Sequence, residues 1–504
     1  MVSLFLTLLL LQAAPHATDA PKAPEAKPAE KPPEKEEPPV VTHHEIRVNG
    51  KTLKYTATTG MMPLRDAKAE TEAHVFFMAY TLDGVSDPVR RPLMFSFNGG
   101  PGSASVWLHL GALGPKRVVM LANGEMPAPP FHLVDNEYTW LDQTDLVFID
   151  PVGTGYSRAV KPELNKKFWN LRGDIQSVGE FIRLYLTRYE RWTSPLFLVG
   201  ESYGTTRAAG LAGYLIERGI AFNGIVLVSS ILNFQTADFA KGNDLPYILF
   251  LPSYAATAWY HHKLPPDLQR DLQKTLKEVE AWAETSYAEA LAKGDRLTAP
   301  ERKAAIDRLA RYTGLEKRYI DDSNLRVPIF RFTKELLRDQ KRTVGRIDSR
   351  FKGIDESAAT ATPEYDPSIA AIRPPYTTTF NNYVRGELGY KTDLEYYILG
   401  EGITSPWEWG PSSSREGFPD TSDDLRSAFS KNQYMKLYVA SGYFDLATPY
   451  FATQYTLTHM GLDPTLRGNI RTGEYEAGHM VYIDTKSLEK LKREVAGFLE
   501  NALK

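Results

Sequence analysis

Ser194 to Gly213, SPLFLVGESYGTTRAAGLAG, decides how the rest of the chain is read. Pro195 to Val199 is a short apolar run of strand length, and Thr205 to Arg218 reads as a helix that Gly219 ends. Between them Gly200-Glu201-Ser202-Tyr203-Gly204 must turn sharply. A serine on such a strand–turn–helix elbow sits in strained backbone, with its hydroxyl raised above the sheet. The glycines two residues to either side are small so that strand and helix can approach closely. Gly204, Ala208, Ala209, Ala212 and Gly213 continue that small face along the helix. Both residue types are common, so the pentapeptide alone would also fit a buried turn without chemistry. Its setting makes Ser202 the expected nucleophile.

Working outward, strands and helices alternate. Ile225 to Val228 is a buried strand after the elbow helix. Before it, Ile175, Val178, Phe181, Ile182, Tyr185, Leu186 and Tyr189 share one helix face. Leu146 to Ile149 is a strand that runs into Asp150-Pro151-Val152-Gly153-Thr154-Gly155-Tyr156-Ser157. Arg91 to Phe97 is another, followed at once by the loop Asn98-Gly99-Gly100-Pro101-Gly102-Ser103. That loop lacks the lysine of a phosphate-binding loop and the third glycine of a dinucleotide fingerprint. It is either a plain turn or the loop that offers a backbone N–H to an oxyanion. Ala73 to Leu82 is a further strand, and Ile46, Val48, Leu53 and Tyr55 alternate around Asn49-Gly50, a hairpin signal. This pattern predicts an α/β-hydrolase fold: a mostly parallel sheet with helices on both faces.

From Phe234 the pattern changes. Asp267 to Ala292 and Arg302 to Tyr312 are charged and helical, and Ala358 to Tyr376 is rich in Pro, Thr and Ala. No buried strand pattern interrupts the stretch, which predicts a mainly helical cap placed over the sheet's C-terminal edge. The sheet resumes at Met435 to Ala440, followed by Ser441-Gly442-Tyr443-Phe444-Asp445. A last strand leads to Gly473-Glu474-Tyr475-Glu476-Ala477-Gly478-His479-Met480-Val481, and a closing helix carries Leu488, Leu491, Val495 and Phe498. At the other end, the apolar run Val2 to Leu11 is too short to span a bilayer comfortably, and small residues follow it. The expected organisation is an export signal at 1–20 and a disordered Pro/Lys/Glu-rich linker at 21–43. Two core segments at 44–233 and 431–504 then flank a cap at 234–430. Export implies a periplasmic or secreted protein with no membrane span in the mature chain.

Composition removes several chemistries. The 59 basic and 62 acidic residues nearly cancel, and no basic stretch argues for nucleic acid. With no cysteine there is no thiol catalysis, disulfide or Cys-ligated metal. No H-E-x-x-H zinc motif occurs, His261-His262 reads as a solvated pair, and no metal or cofactor is expected. Chain order in this fold runs nucleophile, acid, histidine. Only His459 and His479 lie beyond the resumed strand. His459 falls in a helical run, whereas His479 follows a strand in a loop and can swing over Ser202. Asp445 stands just past a strand end, where it can orient His479; Asp463, in Gly461-Leu462-Asp463-Pro464, looks like a turn residue.

The blocks Asn98–Ser103, Asp150–Ser157, Gly200–Gly204, Ser441–Asp445 and Gly478–Val481, in that order, resemble the serine carboxypeptidases. That family includes the yeast vacuolar and plant seed enzymes, and the chain looks like a bacterial member. The resemblance implies a triad of Ser202, Asp445 and His479, with the amides of Gly100 and Tyr203 as oxyanion hole. It also implies that Asn98, the amide of Gly99 and the side chain of Glu201 hold the free carboxylate of a peptide or protein C-terminus. Three departures stand out. Ser103 replaces a cysteine the family commonly crosslinks, and Gly442-Tyr443-Phe444-Asp445 replaces Gly-Asp-x-Asp. Ala112 precedes Leu113-Gly114-Pro115 where many members carry a second glutamate. An esterase or acyltransferase using the same triad, and a silent binding module, remain as other readings. Glu201 separates the carboxypeptidase from the esterase reading, since an ester hydrolase has no evident need for a carboxyl beside its nucleophile.

Overall fold

Asn49 and Gly50 take positive φ values of 49° and 76°, the geometry of a tight hairpin turn whose twist matches its strands. The turn joins β1 (Val40–Val48) to β2 (Lys51–Arg65). The computed structural model describes residues 36–403, 405, 407–409 and 417–504. The expected export signal at 1–20, and the linker as far as residue 35, lie outside the described residues. The remaining linker residues do not all stay irregular, because β1 begins at Val40 and pairs through to Thr59 of β2.

β3 (Thr71–Leu82), β4 (Leu93–Phe97), β5 (Asp145–Ile149), β6 (Leu196–Ser202), β7 (Gly224–Ser230), β8 (Lys436–Gly442) and β9 (Ile470–Tyr475) complete the main path of the sheet. Its order is β1-β2-β3-β5-β4-β6-β7-β8-β9, and the two-residue strand Arg158–Ala159 adds to β3. β1, β2, β3 and β5 pair antiparallel, and every pair from β5 onward is parallel. β4, β5 and β7 are buried throughout, as expected of strands covered on both faces.

Helices α1 (Leu171–Arg188) and α2 (Tyr203–Ile216) cover one face. The small residues of α2 let its neighbours close in. A Cβ on Gly210 would lie 2.3 Å from Ile175 Cδ1 of α1, and one on Gly213 would lie 2.9 Å from Asp424 Cβ. Asp424 belongs to α7 (Ser422–Lys431), so a helix inside the 234–430 stretch packs on the elbow helix of the core. The Asp150–Ser157 block closes on itself: Ser105 N donates to Asp150 Oδ1 (2.8 Å), and Ser157 Oγ donates to Asp150 O (2.6 Å). Gly155 has φ 50°, and a Cβ there would stand 1.8 Å from Asp150 Oδ2. Burial pushes the Asp150 carboxyl up to about 7.

The 234–430 stretch divides by its packing. Helices α3 (Leu245–Tyr260), α4 (Leu272–Trp282) and α5 (Ala299–Thr313), with the chain to Val344, build a hydrophobic cluster in which Tyr254 stacks on Phe332 at 3.9 Å, and Leu272 and Leu276 of α4 pack with Phe444 and Tyr450 of the second core segment. α6 (Pro367–Gly386) instead buries Ile372, Tyr376, Phe380 and Tyr383 in a cluster shared with the sheet. α8 (Tyr450–His459) and α9 (Thr485–Ala502) close the core. Among the described residues no helix is long and apolar enough to cross a membrane.

Candidate active site

β6 delivers Ser202 to the sheet's edge with φ 60° and ψ −132°, a conformation L-residues rarely adopt. The packing around it holds the strain. A Cβ on Gly200 would lie 2.2 Å from Gly204 O, and one on Gly204 would lie 2.9 Å from Phe97 O. Thr205 Oγ1 donates to Ser202 O (2.6 Å) and accepts from Ile231 N (2.9 Å), tying the elbow to the loop after β7.

The glycine-rich loop after β4 presses on the same elbow. A Cβ on Gly99 would stand 2.4 Å from Tyr203 N, so only glycine lets this backbone pass beside the first amide of α2. Gly100 follows with φ 103°. Behind the loop, Arg207 Nη1 donates to Asn98 O (2.7 Å) and Arg207 Nε to Asp174 Oδ2 (2.8 Å), which also accepts from Tyr203 Oη (2.9 Å). Asn98 Oδ1 accepts from Leu108 N (3.0 Å). With its oxygen so occupied, the amide must present Nδ2 as a donor.

Asp445 follows β8, and His479 follows β9. Their loops meet because Gly442 carries no side chain: a Cβ there would lie 2.2 Å from Gly478 O. His479 Nδ1 donates to Asp445 Oδ2 at 2.7 Å. Asp445 is fully buried and also accepts from Thr448 Oγ1 (2.7 Å), Ala447 N (2.7 Å) and Thr448 N (3.0 Å). The histidine backbone is clamped, with its N–H on Ile347 O (2.7 Å) and its carbonyl accepting from Ser229 Oγ (2.6 Å). Burial pulls the imidazole down, the Asp445 carboxylate and Glu201 push it up, and the net shift is upward.

Asn98, Gly99, Gly100, Glu201, Ser202 and His479 line one cavity of about 200 Å³. Arg346, Ile347, Ile369, Ile372 and Leu399 form its other side, so residues from the stretch read as a cap wall the site. A larger cleft of about 660 Å³ beside Tyr443 and Arg350 contains none of the six. Glu201 is buried, and burial pushes its carboxyl up to about 7 against the opposing influence of His479, Tyr482 and Asn98. Glu201 Oε2, Asn98 Nδ2 and Tyr482 Oη are all buried without a hydrogen-bond partner.

The other candidates separate cleanly. His459 is exposed at the end of α8, stacked on Tyr455, and Asp463 is an exposed cap that accepts from Thr465 N (2.9 Å). The expected solvated pair is half right. His262 is exposed, but His261 is half-buried and bonds through Nε2 to Ser349 O (2.7 Å). Ser103, where the resemblance led to a missing cysteine, accepts from Trp107 Nε1 (2.7 Å). Thr448, the Asp174–Arg207 pair and Tyr482 are the supporting residues that reading the sequence misses. A threonine three residues past an aspartate, or a tyrosine in an apolar turn, carries no signal of its own.

The model of the family described as Serine carboxypeptidase matches residues 49–498. Serine carboxypeptidase-like 13 of Arabidopsis thaliana is 29% identical over 154 residues, 30% of this chain and 33% of that protein. The pheromone-processing carboxypeptidase KEX1 of Saccharomyces cerevisiae is 33% identical over 155 residues, 29% of this chain and 20% of that protein. Both matches thus span a third or less of the relative's length. The crystal structure of KEX1, a prohormone-processing carboxypeptidase, superposes with a TM-score of 0.54 at 18% identity, covering 88% of this chain and 91% of that one. At that identity the likeness speaks for the fold.

Proposed function

The chain belongs to the serine carboxypeptidase family, and we propose that it is an exported exopeptidase that releases C-terminal residues from peptides through an acyl-enzyme. The observation that carries this reading is Glu201. A buried carboxyl held up to about 7 beside Ser202, with one oxygen unpartnered, is suited to a substrate that brings a carboxylate of its own.

On this reading the groups act as follows. His479 takes the proton from Ser202 as Oγ attacks the carbonyl of the last peptide bond, and Asp445 stabilises the resulting imidazolium. The N–H groups of Gly100 and Tyr203 receive the oxyanion, the second aided by the N-terminus of α2. His479 then protonates the leaving amine, the C–N bond breaks, and the last residue departs. Water, deprotonated by the same imidazole, releases Ser202 from the ester. Asn98 Nδ2 and Gly99 N–H donate to the substrate's terminal carboxylate, and Glu201 shares a proton with it. Two carboxyls in contact cannot both stay ionised, and the shared proton turns repulsion into a charge-assisted hydrogen bond.

A free-acid substrate is therefore bound best on the acid side, with KM rising as pH climbs through the Glu201 titration. C-terminal amides and esters lack the carboxylate, so their rates hold or improve as His479 loses its proton. The test is kcat/KM against pH for a blocked dipeptide and its amide, in wild type and Glu201→Gln. The glutamine donates without titrating and flattens the KM rise. Matching acid and amide profiles in the wild type would remove Glu201 from recognition and favour the esterase reading. Ser202 is the residue a phosphonylating reagent labels; near-normal hydrolysis by Ser202→Ala would end the assignment.

A further inference from the structure

We propose that Tyr482 is a substrate-binding residue, donating its phenolic hydrogen to the C-terminal carboxylate in the part of the site where Ala112 offers no carboxyl. The inference rests on reading the cavity as a carboxylate site and names what completes it. Tyr482 lies in the short turn Val481–Ile483 directly after His479 and is 2% exposed. Its hydroxyl has no hydrogen-bond partner. Buried tyrosine hydroxyls ordinarily find one, and one left empty is costly. Two other orphaned groups are its neighbours: the Tyr482 hydroxyl and the Asn98 amide are the polar side chains set toward the Glu201 carboxyl. Two donors and one protonatable carboxyl that face one another without closing a hydrogen bond of good geometry are what a guest with two acceptor oxygens would fill.

The ring is built into place. A Cβ on Gly111 would stand 2.4 Å from Tyr482 Cε2, so the ring lies against the backbone one residue before Ala112. Tyr376 Oη stands 2.7 Å from the same point and flanks the ring. Glu201 and Tyr376 are the titratable groups facing the hydroxyl, and His479 and Asp445 in turn face Glu201. Burial and the nearby Glu201 carboxylate hold the phenol far above its usual range. A second glutamate would donate only while protonated. Tyr482 donates at every working pH, so free-acid binding keeps one charge-independent donor after Glu201 has ionised.

The experiment compares wild type and Tyr482→Phe on a blocked dipeptide and its amide. Rates are expressed per site titrated by an organophosphonate, so misfolded molecules do not count. Losing a hydrogen bond to a charged acceptor should lower the acid-over-amide ratio of kcat/KM by about 10- to 100-fold, through KM. Above the Glu201 titration, KM for the acid should level off in the wild type and keep climbing in the variant. An equal fall for acid and amide, or an unchanged acid KM beside a wild type that prefers the acid, would overturn the role of Tyr482 alone. A wild type indifferent to acid or amide would overturn the carboxylate site and this proposal with it.

Discussion

Asp445 spends all its acceptor capacity inside the protein: two backbone N–H groups on Oδ1, and the Thr448 hydroxyl and His479 Nδ1 on Oδ2. An amide in its place must turn an N–H toward one of those donors, which breaks the arrangement and selects the wrong imidazole tautomer. Asp445→Asn should keep the fold and lose on the order of 10⁴ in kcat. Asp463→Asn, which touches only an exposed turn, should cost little, and steady-state kinetics of the pair decide between the two acids. Thr448 also approaches His479 Nδ1, at 3.2 Å. Thr448→Val should lose about tenfold in kcat with KM nearly unchanged. Legibility at this scale is uneven. Ser202, Asp445 and His479 stand in glycine-marked turns after strands, and such turns are visible in a sequence. Thr448 and Tyr482 work through contacts that form only once distant loops meet.

At the scale of elements, the glycines sort by what surrounds them. A Cβ added at Gly200 would stand 2.2 Å from the backbone oxygen of Gly204, which cannot step aside. Gly200→Ala should therefore cost on the order of 3 kcal/mol and disable the elbow. Gly497 sits inside α9 with nothing within 4 Å of where an added methyl would stand. Gly497→Ala should instead stabilise by about 0.5–1 kcal/mol, since alanine loses less freedom in a helix. Urea titration of both variants checks the opposite signs. The sheet is readable because its strands are uninterrupted apolar runs of the right length. α6 is not, since Pro374 and Pro375 stand in its interior. Burial of Tyr376, Phe380 and Tyr383 against the sheet overrides local propensity there. The same lack of a local signal hides residues 345–350, which clamp the His479 loop through Ile347 O and Asp348 Oδ2.

For the whole molecule, the proposed carboxylate site is also a stability liability. Glu201 keeps its proton up to about pH 7 when folded, against 4.5 as the ordinary value. Between those pH values the folded chain binds more protons than the unfolded one, so stability falls as pH rises through the window, by on the order of 3 kcal/mol. His479, whose pKa is raised, contributes in the same direction as it loses its proton. Glu201→Gln removes the first effect. Its melting temperature relative to wild type should be higher at pH 8 than at pH 4; a difference independent of pH would mean that Glu201 does not titrate in this window. The most direct test of the account is a digest at pH 5 of one peptide with a free C-terminus and its amidated twin, both followed by mass spectrometry. The free peptide should lose residues stepwise from its C-terminus, and the amidated one far more slowly. Internal cleavage, or equal loss from both peptides, would contradict it.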